Sequence, residues 1–273
     1  MDRRQALCGL TAMTALALAG CASPTPQDAH LRTPVPTFTT TPGPRPTPEY
    51  VPPRTGTRKV PPPNLKKITR PRGALYELPG EGNLLAWTVD DGVSSEVVAA
   101  YAKFAATTGT RITFFPNGVY SSWTENAAAL RPLVDSGQVQ LGNHTYSHPD
   151  LTGLSDGGIV NELQKNAAVL KNTFGVDPAP YYRPPYGYLD DRVQRVASGI
   201  GYTAPVMWYG SLGDAAVLEP WQVLSYAQEW FLPQHIVLGH ANHPAVTAKF
   251  PQLRDVIRQR GLQTVTLDDV FLK

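Results

Sequence analysis

The chain predicts an α/β fold built on a parallel sheet, and three observations carry that reading. Short apolar runs of β character alternate with amphipathic helical patterns from Leu84 onward. Glycine closes the first helical patterns, and the polar residues with reactive chemistry cluster at the ends of the apolar runs. Seven or so such units in one run suggest a parallel sheet closed into a barrel, or an open doubly wound sheet.

Leu84 to Val89 is the first strand, and Ser95 to Thr108 is a helix closed by Gly109. Arg111 to Phe115 follows as a strand, then Thr124 to Ser136 as a helix closed by Gly137. Val139 to Gly142, Tyr181 to Arg183, Thr203 to Trp208, His235 to Gly239 and Gln263 to Leu267 read as further strands. Helical patterns separate them around Ile159 to Phe174, Asp191 to Ser198, Pro220 to Phe231 and Ala248 to Arg260. In a barrel, chemistry sits past the C-terminal ends of the strands. Asp90 and Asp91 end the first strand, His144 follows the third, Arg183 ends the fourth, Trp208 the fifth and His240 the sixth. The reactive candidates therefore fall on one rim.

The first 72 residues read differently. Arg3 and Arg4 precede an Ala/Leu-rich run from Ala6 to Ala19, which is too short for a membrane span and fits a secretory signal. Leu18-Ala19-Gly20-Cys21 resembles the lipobox of bacterial lipoproteins, which implies lipidation of Cys21 and anchoring to the outer face of the cytoplasmic membrane, facing the wall. The paired arginines leave both Sec and Tat export open. Cys8 would leave with the signal, so the exported domain would hold no free thiol and no disulfide. Of 27 prolines, 13 lie between Pro24 and Pro63, among few long aliphatic residues, so that stretch predicts a disordered or polyproline-like tether. The organisation expected is a signal peptide over 1–21, a linker over 22–72 and one folded domain over 73–273. A net charge of +2 and the lack of interleaved basic and aromatic residues argue against nucleic acid. A monomer is expected.

Asp90-Asp91-Gly92, His144 and His148 form the most informative set. Alone, Asp-Asp-Gly is a good turn whose aspartate caps the following helix. With two imidazoles at i and i+4 in a polar loop, it reads as a divalent metal site with a spare carboxylate beside it. Adjacent strand residues point to opposite faces, so both aspartates serve one site only where the pleat breaks, and Gly92 offers such a break. The pairing does not suit glycoside hydrolysis, which needs carboxyls about 5 to 9.5 Å apart across a sugar. Arg183-Pro184-Pro185-Tyr186-Gly187 forms a rigid turn in which Arg183 can hold Asp90 ionised and oriented. The Tyr186 N–H, the first donor after two prolines, can face an oxyanion. Leu238-Gly239-His240 offers a general acid, with Asp214 as the group that tunes it.

Together these motifs, in order and spacing, resemble the polysaccharide deacetylase family, also called the NodB homology domain or carbohydrate esterase family four. The resemblance covers roughly Gly73 to Lys273. It implies a distorted (β/α) barrel of about seven parallel strands and metal-dependent removal of acetyl from N-acetylated sugars. It implies Asp90 as general base and Asp91, His144 and His148 as ligands of a divalent ion, Zn2+ foremost, with Co2+, Ni2+ or Mn2+ as alternatives. It also implies Arg183 as the residue orienting Asp90, and His240, paired with Asp214, as the acid that protonates the departing amine. Tyr186 and Trp208 would meet the substrate. One motif departs from the family pattern. Ser211 and Ala215 stand where members often carry Asp and a Trp that walls the acetyl pocket, and Trp208, Trp221 or Trp230 is left to fill that gap. Peptidoglycan amino sugars are the expected substrate. Chitin-like oligosaccharide, exopolysaccharide or acetylxylan is the alternative, and a non-catalytic glycan-binding protein on the same scaffold is the reading of another class.

Overall fold

The structure is a computed structural model that describes residues 63–272. The expected signal peptide, Cys21 and the expected linker up to residue 62 lie outside the described residues. The remainder of the expected linker is part of the folded unit. Ile68 pairs with Phe271, Leu65 packs into the core, and the Arg70 guanidinium lies 5.5 Å over the Tyr181 ring. A domain boundary at 73 is therefore too late, because the Pro-rich composition hides the few apolar residues that dock.

Strand β1 (Leu84–Asp91) is central and buried except at its ends. It pairs in parallel with β2 (Ile112–Pro116) on one side and β7 (His235–His240) on the other. Strand β3 (Val139–Leu141) extends the sheet beyond β2, and β6 (Gly210–Ser211) extends it beyond β7. Strands β4 (Tyr181–Tyr182) and β5 (Ala204–Pro205) form a second parallel pair, joined to the end of β3 by the Asn143–Tyr182 bridge. Strand β8 (Gln263–Thr264) takes the β2 side of β1 at its start, beside Leu84 and Leu85. The ring of parallel strands is thus the distorted barrel expected, with eight short strands among the described residues.

The expected strand over Thr203 to Trp208 is the main local difference. The segment pairs with β4 at β5, leaves the ladder at Met207 and Trp208, and pairs with β7 at β6. A partner switch within eight residues cannot be seen in apolar periodicity. Each half is too short to leave a pattern.

Helices cover the outside: α1 (Ser95–Thr108), α2 (Ser122–Glu125), α3 (Ala127–Asp135), α4 (Asp156–Phe174), α5 (Asp191–Gly199), α6 (Pro220–Trp230), α7 (Phe250–Gln259) and α8 (Leu267–Val270). Ser94, not an aspartate, caps α1, its Oγ accepting from the Val97 N–H at 3.3 Å, and Gly109 ends that helix at φ 77°. The expected helix over Thr124 to Ser136 is broken at Asn126. The Asn126 side chain donates to the Ser95 and Ser122 carbonyls, which ties the break to α1.

Period-two alternation sorts β1 into two faces. Leu85, Trp87 and Val89 face outward into a core shared with Tyr101, Phe104, Phe231 and Phe250. Ala86 joins Phe115, Val206, Ile236, Leu267 and Phe271 in a second, inner core. Each such side chain contributes about 1.5–3 kcal/mol by leaving water. Thr88 and Asp90 continue the inner face upward, so the barrel interior changes from apolar to polar toward the strand ends.

Candidate active site

Asp91 does not follow the pleat. Its φ is 71°, and Gly92 follows at 103°, which turns the Asp91 carboxylate back toward the side that Asp90 faces. Gly92 is also required by its surroundings, since a Cβ there would lie 2.3 Å from Trp123 Nε1. Trp123 Nε1 donates to the Asp91 carbonyl at 2.8 Å, and the Ser122 hydroxyl donates to the Gly92 carbonyl. Helix α2 thus holds the turn that places both aspartates in one site.

His144 and His148 come from the loop after β3. The His144 ring Nδ1 lies 2.7 Å from the Arg183 carbonyl, which can only accept. Nδ1 therefore carries the hydrogen, and Nε2 presents its lone pair to the site. His144 Nε2 is 3.4 Å and His148 Nε2 3.6 Å from Asp91 Oδ1. Ligands of a tetrahedral zinc ion, each about 2.0–2.1 Å from it, are separated by roughly 3.3 Å. Asp91 Oδ1 is buried and accepts no hydrogen bond, an orphan of the kind a cation resolves. Burial works against charge on His144, yet Asp90 and Asp91 raise its pKa above the ordinary value. Burial would likewise raise Asp91, but the neighbouring His144, with His240 and the Asn242 hydrogen bond, holds it below the usual carboxylate range. Burial and the neighbouring His144 lower His148. These groups favour a positive charge among them, and the three donors fit a divalent ion.

Arg183 is fully buried and makes four hydrogen bonds. Nη1 donates to Asp90 Oδ1 at 2.6 Å and to Thr88 Oγ1 at 2.9 Å, Nε to the Val206 carbonyl at 2.9 Å, and Nη2 to the Met207 carbonyl at 3.0 Å. The last two carbonyls belong to the stretch between β5 and β6. The guanidinium therefore closes the seam of the barrel and orients Asp90 in one arrangement. Asp90 Oδ2 stays available, 3.5 Å from His144 Nε2.

His240 stands opposite Asp90 in the β1–β7 register, and its Nδ1 lies 3.0 Å from Oδ1 of the fully buried Asp214. Burial opposes protonation of His240, but the Asp214 hydrogen bond and charge outweigh it and raise the pKa. The shift favours the protonated ring, the form that a general acid needs.

Asp90, Asp91, His144, His148, Tyr186, Trp208, Ser211, Ala215 and His240 all line one open cavity of about 340 Å³. Trp208 supplies the aromatic wall, its six-membered ring packed so closely on Gly187 that a Cβ there would come within 2.9 Å. Trp221 is 65% exposed and Trp230 packs against the outer core, so neither takes over the place that Ala215 leaves open.

Four residues that sequence reading missed hold the histidine loop. Asn117 donates to the His144 and Thr145 carbonyls, and Asn143 accepts from the Thr145 N–H at 2.9 Å and from Asn166 at 2.8 Å. The Glu162 carboxylate accepts from the Tyr146 and Ser147 N–H groups at 3.0 and 2.8 Å. These anchors keep Thr145 and His148 at φ 69° and 60°, conformations that cost energy without such support.

Residues 78–205 match the family model described as polysaccharide deacetylase. Chitin deacetylase 1 of Cryptococcus neoformans is 49% identical over 69 residues, 25% of this chain and 14% of that protein. The peptidoglycan-N-acetylglucosamine deacetylase PgdA of Listeria monocytogenes is 27% identical over 187 residues, 68% of this chain and 38% of that protein. Both relatives thus extend well beyond the aligned part. Among solved structures, BA3943, a CE4 family pseudoenzyme from Bacillus anthracis, superposes with a TM-score of 0.65 at 21% identity, covering 74% of this chain and 69% of that one. That likeness speaks for the fold alone. Because a pseudoenzyme shares it, the residues of the site carry the functional reading.

Proposed function

Residues 78–205 belong to the polysaccharide deacetylase family, and from that membership we propose that this chain is a metal-dependent hydrolase removing N-acetyl groups from amino sugars of peptidoglycan. The single observation behind the activity is that one cavity holds a complete set: Asp90 on Arg183, His240 on Asp214, and Asp91 with His144 and His148. A binding protein needs neither the base nor the acid.

A divalent ion held by Asp91, His144 and His148, zinc by its fit to imidazole and carboxylate donors, supplies a Lewis acid for the acetamide carbonyl and an acidified water. Asp90, oriented by Arg183, takes a proton from the attacking water as the C–O bond forms. The Tyr186 N–H, on a turn fixed by Pro184 and Pro185, is the protein's donor to the tetrahedral oxyanion. His240 gives its proton to the sugar nitrogen as the C–N bond breaks. Acetate and a free amine leave, and Trp208 walls the cavity beside them.

The proposal includes export and a lipid anchor at Cys21, supported by the basic residues, apolar run and Leu18–Cys21 motif at the start of the chain. The enzyme would then face the wall as a monomer, which favours peptidoglycan. The short, strong similarity to a chitin deacetylase supports a second reading, action on chitin-like oligosaccharides. Acetate released from peptidoglycan and from N-acetylglucosamine oligomers, with and without a chelator, tests both. Release from peptidoglycan that stops with chelator and returns with Zn2+ is expected. Preference for the oligomers would select the second reading, and no release from any acetylated glycan would end the enzyme reading. Membrane partitioning that persists in a Cys21→Ser variant would rule out the anchor.

A further inference from the structure

The two oxygens of Asp91 have different surroundings. Oδ1 faces His144 and His148 and accepts no hydrogen bond, whereas Oδ2 accepts from Asn242 Nδ2 at 2.7 Å. The other end of the same amide accepts from the Val93 N–H at 3.3 Å. A carboxylate can only accept and a backbone N–H can only donate, so one orientation of the Asn242 amide satisfies both. Asn242 therefore spans the Gly92 turn, gripping the residue before it and the residue after it.

Its own position is fixed from β7. The Ala241 N–H donates to the Asp90 carbonyl at 3.0 Å, and the Ser94 N–H donates to the Ala241 carbonyl at 3.1 Å. The loop after β7 is thus laced to the loop after β1 through both backbone groups of Ala241, the residue just before Asn242. Trp123 and Ser122 hold the backbone of the turn from below, but neither touches the Asp91 carboxylate. Among the described residues, Asn242 donates to the oxygen that the histidines do not face.

We infer that Asn242 is the positioning residue that commits Asp91 Oδ2 to the protein and leaves Oδ1 alone for the cation. The inference rests on the metal-site reading of Asp91, His144 and His148. Without Asn242 the carboxylate is free to rotate, and both oxygens can turn to the ion. Outer partners of metal ligands commonly govern affinity by about 10–100-fold. Asn242 is only half-buried, so its truncation should leave the fold intact.

The test is Zn2+ affinity by competition with a chromophoric chelator, using the full chain, its Asn242→Ala and Asn242→Asp variants, and Asp91→Asn as the control for a lost ligand. Asn242→Ala should weaken Zn2+ about 10–100-fold. Asn242→Asp should also weaken it, by setting a second carboxylate against Oδ2. With Co2+ as the probe, Asn242→Ala should also lower the visible absorption as the coordination number rises, a change that loss of stability alone does not produce. Circular dichroism checks that each variant is folded. Unchanged Zn2+ affinity and Co2+ spectrum in a folded Asn242→Ala variant would overturn the role of Asn242 while leaving the site. Failure of the parent chain itself to bind Zn2+ more tightly than Asp91→Asn would overturn the metal site and this inference together.

Discussion

Two buried arginine–aspartate pairs lie at opposite ends of the barrel, and they are built differently. At the bottom, Arg111 meets Asp269 through two bonds, Nε to Oδ2 at 2.6 Å and Nη2 to Oδ1 at 2.8 Å. Asp269 Oδ2 also accepts the Thr266 N–H at 2.8 Å, closing the capping box of α8. Both carboxylate oxygens are consumed. At the top, Arg183 spends one nitrogen on Asp90 Oδ1 and the rest of its donors on Thr88, Val206 and Met207. One oxygen of Asp90 remains for chemistry. A closed pair fastens, while a one-armed pair aims.

The largest effect should come from breaking the upper pair. Asp90→Asn keeps the size of the side chain but removes the base, and kcat should fall about 10²–10⁴-fold with Zn2+ still bound. Retained turnover would assign the proton transfer elsewhere. Removal of one partner from a buried pair costs about 3–5 kcal/mol, and Asp269→Asn should lose that much stability in urea unfolding while the folded fraction keeps its kcat. Asp90→Asn should lose less, since Arg183 retains three other acceptors. The reverse order of the two losses would erase the distinction between fastening and aiming.

Gly92→Ala tests the turn that lets the upper end hold two carboxylates. Its Cβ would collide with Trp123, and overpacking of this kind costs about 1–3 kcal/mol, so the transition midpoint should drop and Zn2+ affinity should fall with it. The mildest change concerns the third buried carboxylate. Asp214 raises the pKa of His240, so His240 stays protonated, and competent as an acid, to higher pH than it otherwise would. Without Asp214, burial is opposed only by the charges of Asp90 and Asp91, and the pKa of the ring falls. The alkaline limb of kcat against pH in Asp214→Asn should therefore move to lower pH, and an unmoved limb would remove His240 as the acid.

Most of the fold was legible because its signals are local. The buried runs 84–91, 112–116 and 235–240 are nearly continuous in apolar character, as strands covered on both faces must be. Ser94 before α1 and Gly109 after it mark a helix by backbone chemistry confined to one turn. The docked residues 63–72, the split at Asn126 and the partner switch between β5 and β6 were hidden. Each depends on a contact with a segment far along the chain, as when Ile68 pairs with Phe271.

The sequence by itself determined which residue types end each strand and in what order, and so supplied the candidate base, acid and ligands. Tertiary structure decided how they are held. Asp91 serves the site because Trp123 and Asn242 fix a left-handed backbone, and Arg183 aims Asp90 because the barrel seam leaves two carbonyls open to it. Asn117, Asn143, Asn166 and Glu162 brace the histidine loop through hydrogen bonds that no periodicity encodes. Period and capping are properties of neighbours in the chain, whereas the satisfaction of a buried polar atom is a property of neighbours in space.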